Sequence, residues 1–136
     1  SRNEIGALQR YLNDEGVLLI NNGLGLGTFD AAVRRELKNI LPNMSLQQIP
    51  AGHSIYNSLF DVSTVRYSPC LAKSKPELKN QPYLLGISID GDLRVIYSPY
   101  DLEAGWLEVY YPMMKGYESV SSQRLGINMI IYLMTH

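Results

Sequence analysis

Cysteine is almost missing from this chain of 136 residues: Cys70 stands alone, which excludes an internal disulfide framework and a cysteine-rich zinc site. Histidine is nearly as scarce, with two residues, so few soft ligands remain and neither a metal nor another cofactor is implied. Neither sign of charge dominates. Twelve Lys and Arg face 13 Asp and Glu for a formal net charge of −1, which argues against a dedicated nucleic-acid binder. No apolar run reaches the length of a membrane span, the longest being Met129 to Met134, and no basic-then-apolar leader opens the sequence. Phenylalanine and tryptophan are rare, at two and one, whereas tyrosine, which joins apolar area to a polar tip, occurs ten times. With 46% hydrophobic and 18% charged residues, the chain can bury a core, and its length fits one domain over residues 1–136. Composition leaves the compartment and the oligomeric state open.

Periodicity predicts alternating helices and strands. Ile5, Leu8 and Leu12 share a helical face over 3–15, with Asn3 as a cap and Gly16 as a left-handed stop. Val17-Leu18-Leu19-Ile20 is a short unbroken apolar run, the pattern of a strand buried on both faces. A glycine-rich turn, Asn21-Asn22-Gly23-Leu24-Gly25-Leu26-Gly27, leads into a helix with Phe29, Val33, Leu37 and Ile40 on one side, ended by Pro42-Asn43. A short strand over 45–49 and a helical turn or two in 53–60 follow. Residues 63–82, with three prolines and Cys70, predict a loop that is either a lid or an insertion. Asp90-Gly91 between two strand-forming runs predicts a hairpin. A loop with a short helix covers 100–116, and an apolar helix closes the chain from Ser119. On that helix Ser121, Arg124, Asn128, Tyr132 and Thr135 form one polar stripe, expected to face solvent, with Arg124 alternatively turned toward a pocket or acidic partner. Helix, strand, turn and helix in this order form the unit of open α/β sheets.

Several features suit a site. At the glycine turn, amide groups converge on a helix amino end, where the dipole favours an anion. Gly23-x-Gly25-x-Gly27 matches neither the dinucleotide fingerprint nor the phosphate-loop pattern, so a tight structural turn capped by Thr28 or Asp30 is the competing reading. His53 titrates near neutrality and suits a general base, or simply anchors its loop. No Gly-x-Ser-x-Gly elbow is present, and Cys70 lies in the proline-rich segment, so neither serine nor thiol hydrolase templates match. Asp101, Glu103 and Trp106 join carboxylates to an aromatic ring, a combination found in sugar sites and equally in capped loops.

The ordered motifs Gly23-Leu24-Gly25-Leu26-Gly27-Thr28-Phe29-Asp30, Arg34-Arg35-Glu36-Leu37, His53-Ser54-Ile55-Tyr56, Gly86-Ile87-Ser88-Ile89-Asp90-Gly91, Tyr97-Ser98-Pro99-Tyr100-Asp101-Leu102, Gly105-Trp106 and Arg124-Leu125-Gly126-Ile127-Asn128 resemble the bacterial domain of unknown function 4159 over nearly the whole chain. The resemblance implies a flavodoxin-like, class I glutamine amidotransferase-like three-layer sandwich, here without its amino-terminal strand, and a setting in the bacterial cell envelope. An amidotransferase nucleophile would be a cysteine at a strand-to-helix elbow, where this chain has glycine and leucine. The expected function is therefore a non-catalytic module binding a small ligand or a protein partner. Its pocket is expected at the carboxyl ends of the strands, formed by Asn21, Asn22, Gly25, Gly27, Thr28 and His53, with Asp101 and Trp106 beside it. The alternative is a hydrolase of an amide or glycan with His53 as base and Asp101 as its orienter or as general acid.

Overall fold

The computed structural model describes residues 1–136. Helix α1 spans Arg2–Asn13, and its start is a reciprocal capping box in which Ser1 accepts from the Glu4 amide and the Glu4 side chain returns to Ser1. The cap thus falls two residues before the expected Asn3. The left-handed residue past its end is Glu15 (φ 69°) and not Gly16. Strand β1 (Leu18–Asn21) then passes through the glycine turn into helix α2 (Gly27–Ile40). Strand β2 is only Gln47–Gln48, and helix α3 covers Pro69–Ser74. Strands β3 (Leu85–Ile89) and β4 (Asp92–Ser98) form the expected hairpin. Its turn puts Asp90 and Gly91 both at positive φ, 54° and 89°, the geometry that Asp-Gly adopts most cheaply. A one-turn helix α4 (Glu103–Trp106) precedes the long α5 (Ser119–Thr135).

The chain is a mixed α/β protein with one four-stranded sheet in the order β1-β4-β3-β2. β1 runs parallel to β4, and the other pairings are antiparallel. Apolar clusters lie on both faces. One joins Leu12 of α1 and Val33, Leu37 and Ile40 of α2 to Ile87, Val95 and Tyr97 of the sheet. The other joins Leu93 and Ile96 to Leu125, Met129 and Tyr132 of α5 and to Ile55, Tyr56, Val65, Tyr67 and Leu71. The 63–82 segment therefore contributes Val65, Tyr67 and Leu71 to the core besides carrying α3. The tyrosine surplus has a structural use. Tyr56 donates to the Ile49 carbonyl at 3.1 Å, and Tyr117 both donates to the Tyr83 carbonyl and accepts its amide. Each buried ring fills core volume while its hydroxyl closes a loop's backbone bonds.

Two expectations fail, on adjacent elements. β1 has the composition of an interior strand, yet it is an edge, and Leu19 is 47% exposed. The polar stripe of α5 divides: Asn128 and Tyr132 are buried and Ser121 half-buried, while Arg124 and Thr135 stay exposed as expected. Ser121 accepts from the Arg66 amide at 2.8 Å, the Arg124 guanidinium lies 5.3 Å from the Phe60 ring centroid, and buried Asn128 holds the backbone of Leu59 and Phe60. The cause is the irregular 53–66 segment under the helix, whose backbone groups need polar partners once water is gone. An isolated helical wheel carries no information about such a segment.

Asn128 makes three of these bonds: Oδ1 accepts from Leu59 (3.1 Å) and Phe60 (2.9 Å), and Nδ2 donates to the Phe60 carbonyl (2.7 Å). Asn128→Ala leaves buried loop groups unsatisfied and is expected to cost about 3 kcal/mol of folding stability. Urea unfolding of the two proteins measures this, and a loss below about 1 kcal/mol would show the three bonds to be replaceable by water.

Candidate functional site

The site is built where β1 and β4 end side by side. Asn22, buried at the end of β1, donates from its own amide to the Ser98 carbonyl (3.0 Å). Its side chain both accepts from the Leu26 amide (3.0 Å) and donates to the Leu26 carbonyl (2.8 Å). This pair of bonds folds the chain back within four residues. Leu24 and Gly25 adopt the left-handed region at φ 70° and 63°. A Cβ on Gly25 would lie 2.8 Å from Lys115, so backbone conformation and space both require glycine there. Leu24 has no such excuse, and its conformation is held from outside.

Asp101 supplies that hold. It is 3% exposed, and its carboxylate accepts from the Asn21 side chain (3.1 Å), the Leu24 amide (3.4 Å), the Ala104 amide (3.4 Å) and the Tyr111 hydroxyl (2.8 Å). Asn21 in turn accepts from the Leu102 amide at 2.8 Å. The β1 turn, the 101–104 turn and the 111–116 loop thus meet on one carboxylate. All of its acceptor capacity is used inside the protein, so its place is beneath the site as a positioning group.

Above this base lies a cleft of about 240 Å³ lined by Asn22, Gly25, Gly27, Asp30 and Arg34, with Lys75, Tyr83 and Tyr100 on its far side. Helix α2 opens into it without a side-chain cap, its flanking residue being Leu26, and its first-turn amides are left for another acceptor. One turn along, the Asp30 carboxylate accepts from the Tyr97 hydroxyl at 2.8 Å and from Arg34 Nε at 2.9 Å. Partial burial works to raise the Asp30 carboxyl, but the Arg34 and Tyr97 hydrogen bonds outweigh it and hold the group below the ordinary carboxylate range. The Tyr97 hydroxyl is pushed far above its usual range by burial and by the adjacent carboxylate, so it stays a donor. Lys75 forms no ion pair. With Asp30 paired to Arg34, Lys75 is the one charged lining residue without an ion pair, beside the amino end of α2.

Of the residues singled out in the sequence, Asn22, Gly25 and Gly27 line this cleft, while Asn21 and Asp101 lie beneath it as its scaffold. Thr28 is exposed on the first turn of α2. The structure does not bring His53 here. It lines a separate depression of about 370 Å³ with Gly86, Ser88 and Leu93, while the cleft sits past Ser98. Leu93 and Ser98 are five residues apart along β4, which is about 17 Å of strand. His53 Nδ1 accepts the Ile55 amide at 3.1 Å as the cap of a 3-10 turn. In the neutral ring Nε2 then carries the proton, so no free lone pair faces the depression for proton abstraction. Burial, with the nearby His136 adding to it, lowers the His53 pKa and keeps it neutral. Trp106 is also elsewhere. Its Nε1 donates to the Ser122 carbonyl at 2.7 Å and its ring packs on Gly126 of α5.

Asp30, Arg34, Lys75, Tyr83 and Tyr100 escaped the sequence reading. The sequence offers Asp30 only as a cap for the turn, and Arg34 lies a helical turn further on. Those two were findable as an i, i+4 ion pair. Lys75, Tyr83 and Tyr100 reach the cleft through loops, and no local pattern announces that.

Because its pKa is depressed, Asp30 contributes stability that is present above the unfolded-state value of 3.8 and is lost as pH falls through the lower folded value. Asp30→Asn is therefore expected to lower the melting temperature at neutral pH, with the deficit shrinking toward zero as the pH drops below that range. Thermal melts of both proteins across pH test this, and a deficit that does not change with pH would remove the ion pair as its cause.

A search of curated proteins finds no match to this chain. The family model for a domain of unknown function (DUF4159) matches residues 1–134, and the chain belongs to that family.

Proposed function

We propose that the protein is a non-catalytic binding module of the bacterial envelope, and that the cleft at the carboxyl ends of β1 and β4 takes a small polar ligand bearing an anionic group. The observation that carries this reading is the joint placement of uncapped α2 amides, the unpaired Lys75 and two tyrosines, Tyr83 and Tyr100, around one cleft. A carboxylate or phosphate accepts hydrogen bonds from the amides and pairs with Lys75, while the tyrosines cover the rest of a compact molecule. The volume suits a ligand of sugar or amino-acid size and is too small for a dinucleotide. Location agrees with the rule that open α/β sheets bind ligands outside the carboxyl ends of their strands. The amidotransferase-like form of the fold belongs to the same proposal. It is supported by the helices on both sheet faces, by the parallel β1–β4 pair, and by the order of the motifs.

The test is thermal-shift screening followed by calorimetry with small carboxylates, amino acids, sugar phosphates and inorganic phosphate. At least one class is expected to stabilise the protein, and Lys75→Ala is expected to raise its Kd about tenfold or more. If every class leaves the melting temperature unchanged, or if Lys75→Ala binds as well as the parent, the cleft is not the binding site.

A further inference from the structure

The cleft does not stop at Arg34. That side chain also lines a crevice of about 170 Å³ further along α2, bounded on its other side by the 44–46 segment and Ile87 of β3. Cleft and crevice adjoin on one flank of α2, where Asp30, Arg34 and Lys38 follow one another at four-residue spacing. The flank of α2 turned to β1 is a different one, occupied by Phe29, Val33 and Glu36, so the open edge of β1 has no part in the crevice.

Charge and surface together limit what can lie along this flank. Lys38 is exposed and, like Lys75, forms no ion pair. The one carboxylate lining either part is Asp30, which Arg34 and Tyr97 already engage. Free cations thus stand at both ends, Lys75 at the cleft and Lys38 at the far end of the crevice. Lys38 lies eight residues past Asp30, about 12 Å along the helix axis, so a ligand confined to the cleft stops short of it. Between the cations the crevice is lined by Leu37, Met44, Leu46 and Ile87 and has no aromatic ring, so neither a sugar nor a base has a face to stack on. A polypeptide carries acidic and apolar side chains on one backbone. In an extended chain, residues four apart lie on the same side and about 13 Å from each other, which matches the span to Lys38.

We propose that the ligand of the cleft is an extended acidic peptide, which runs past Arg34 into the crevice and sets two acidic side chains, four residues apart, against Lys75 and Lys38. The proposal rests on the reading of the cleft as an anion site and gives that site its ligand class. The first acidic group meets Lys75 and the opening amides of α2, and the second meets Lys38. An apolar side chain between them packs on Leu37 and Met44. Each pairing at an exposed cation contributes little alone, so discrimination comes from meeting both cations at the correct spacing.

Calorimetry tests this with short peptides of valine, serine and threonine, capped at both ends, that carry one glutamate, two glutamates four residues apart, or two adjacent glutamates. The spaced pair is expected to bind about fivefold tighter than the single glutamate. Lys38→Ala is expected to abolish that gain, with the unfolding transition and the Kd of the single-glutamate peptide unchanged, whereas Lys75→Ala weakens both peptides. The proposal is overturned if no peptide binds, if the spaced pair binds no tighter than the single or the adjacent glutamates, or if its gain survives Lys38→Ala. A uronic-acid oligosaccharide that binds as tightly as the spaced pair also overturns it and puts a glycan in the crevice. The anion site itself is judged separately, with inorganic phosphate and small carboxylates. If these bind and depend on Lys75 while the second glutamate adds nothing, the cleft reading stands and the peptide falls; if Lys75→Ala changes no binding, both fall.

Discussion

The carboxylate of Asp101 is the point on which the functional end of this molecule depends. Buried beneath the end of the sheet, it receives hydrogen bonds from the β1 end, the glycine turn, the start of α4 and the tyrosine loop. None of these segments has enough regular structure to hold itself. Leu24 sits in a backbone conformation that a branched side chain rarely adopts, and its amide is one of those Asp101 fixes. A buried carboxylate is tolerable only when its acceptor sites are filled. Here filling them and ordering three loops are the same set of contacts. Tyr111 adds a hydroxyl that burial and the adjacent carboxylate keep protonated, so the donor is permanent.

On that base the cleft divides its polar groups by role. Asn22 spends its side chain on the turn, and Asp30 spends its carboxylate on Tyr97 and Arg34. What remains for a ligand is donor-rich: the first amides of α2, Lys75 and the tyrosine hydroxyls. On the proposed reading these donors meet the anionic group of a ligand. His53, the most reactive side chain by type, is engaged as a backbone cap at the other end of β4.

Much of the fold was legible. Both amphipathic helices at the start, the strand between them, the Asp-Gly hairpin and the closing helix come from local periodicity and turn chemistry, which act over a few residues. Within the site, Asn22, Gly25 and Gly27 were readable because a strand–turn–helix junction makes its own geometry. Asp101 was readable as a loop cap, the alternative the sequence offered, but its tie to Asn21, 80 residues away, was not. Lys75, Tyr83 and Tyr100 were not readable at all, since they enter from separate loops. His53 and Trp106 were drawn into the site on chemical type alone, and the chain path takes them elsewhere.

The sequence by itself determined the element order, the turn at residues 21–27, the scarcity of metal ligands and nucleophiles, and membership of its family. These follow from interactions between near neighbours or from composition. Tertiary structure decided which face of each element meets which partner. The burial of Asn128 and Tyr132 within the polar stripe of α5 shows the reason. A side chain's environment is set by what packs across from it, and the irregular 53–66 segment demands hydrogen bonds where a helical wheel foresees water. Apolar residues were correctly expected to need cover. Which of them the chain covers with its own residues is a property of the assembled sheet and helices alone.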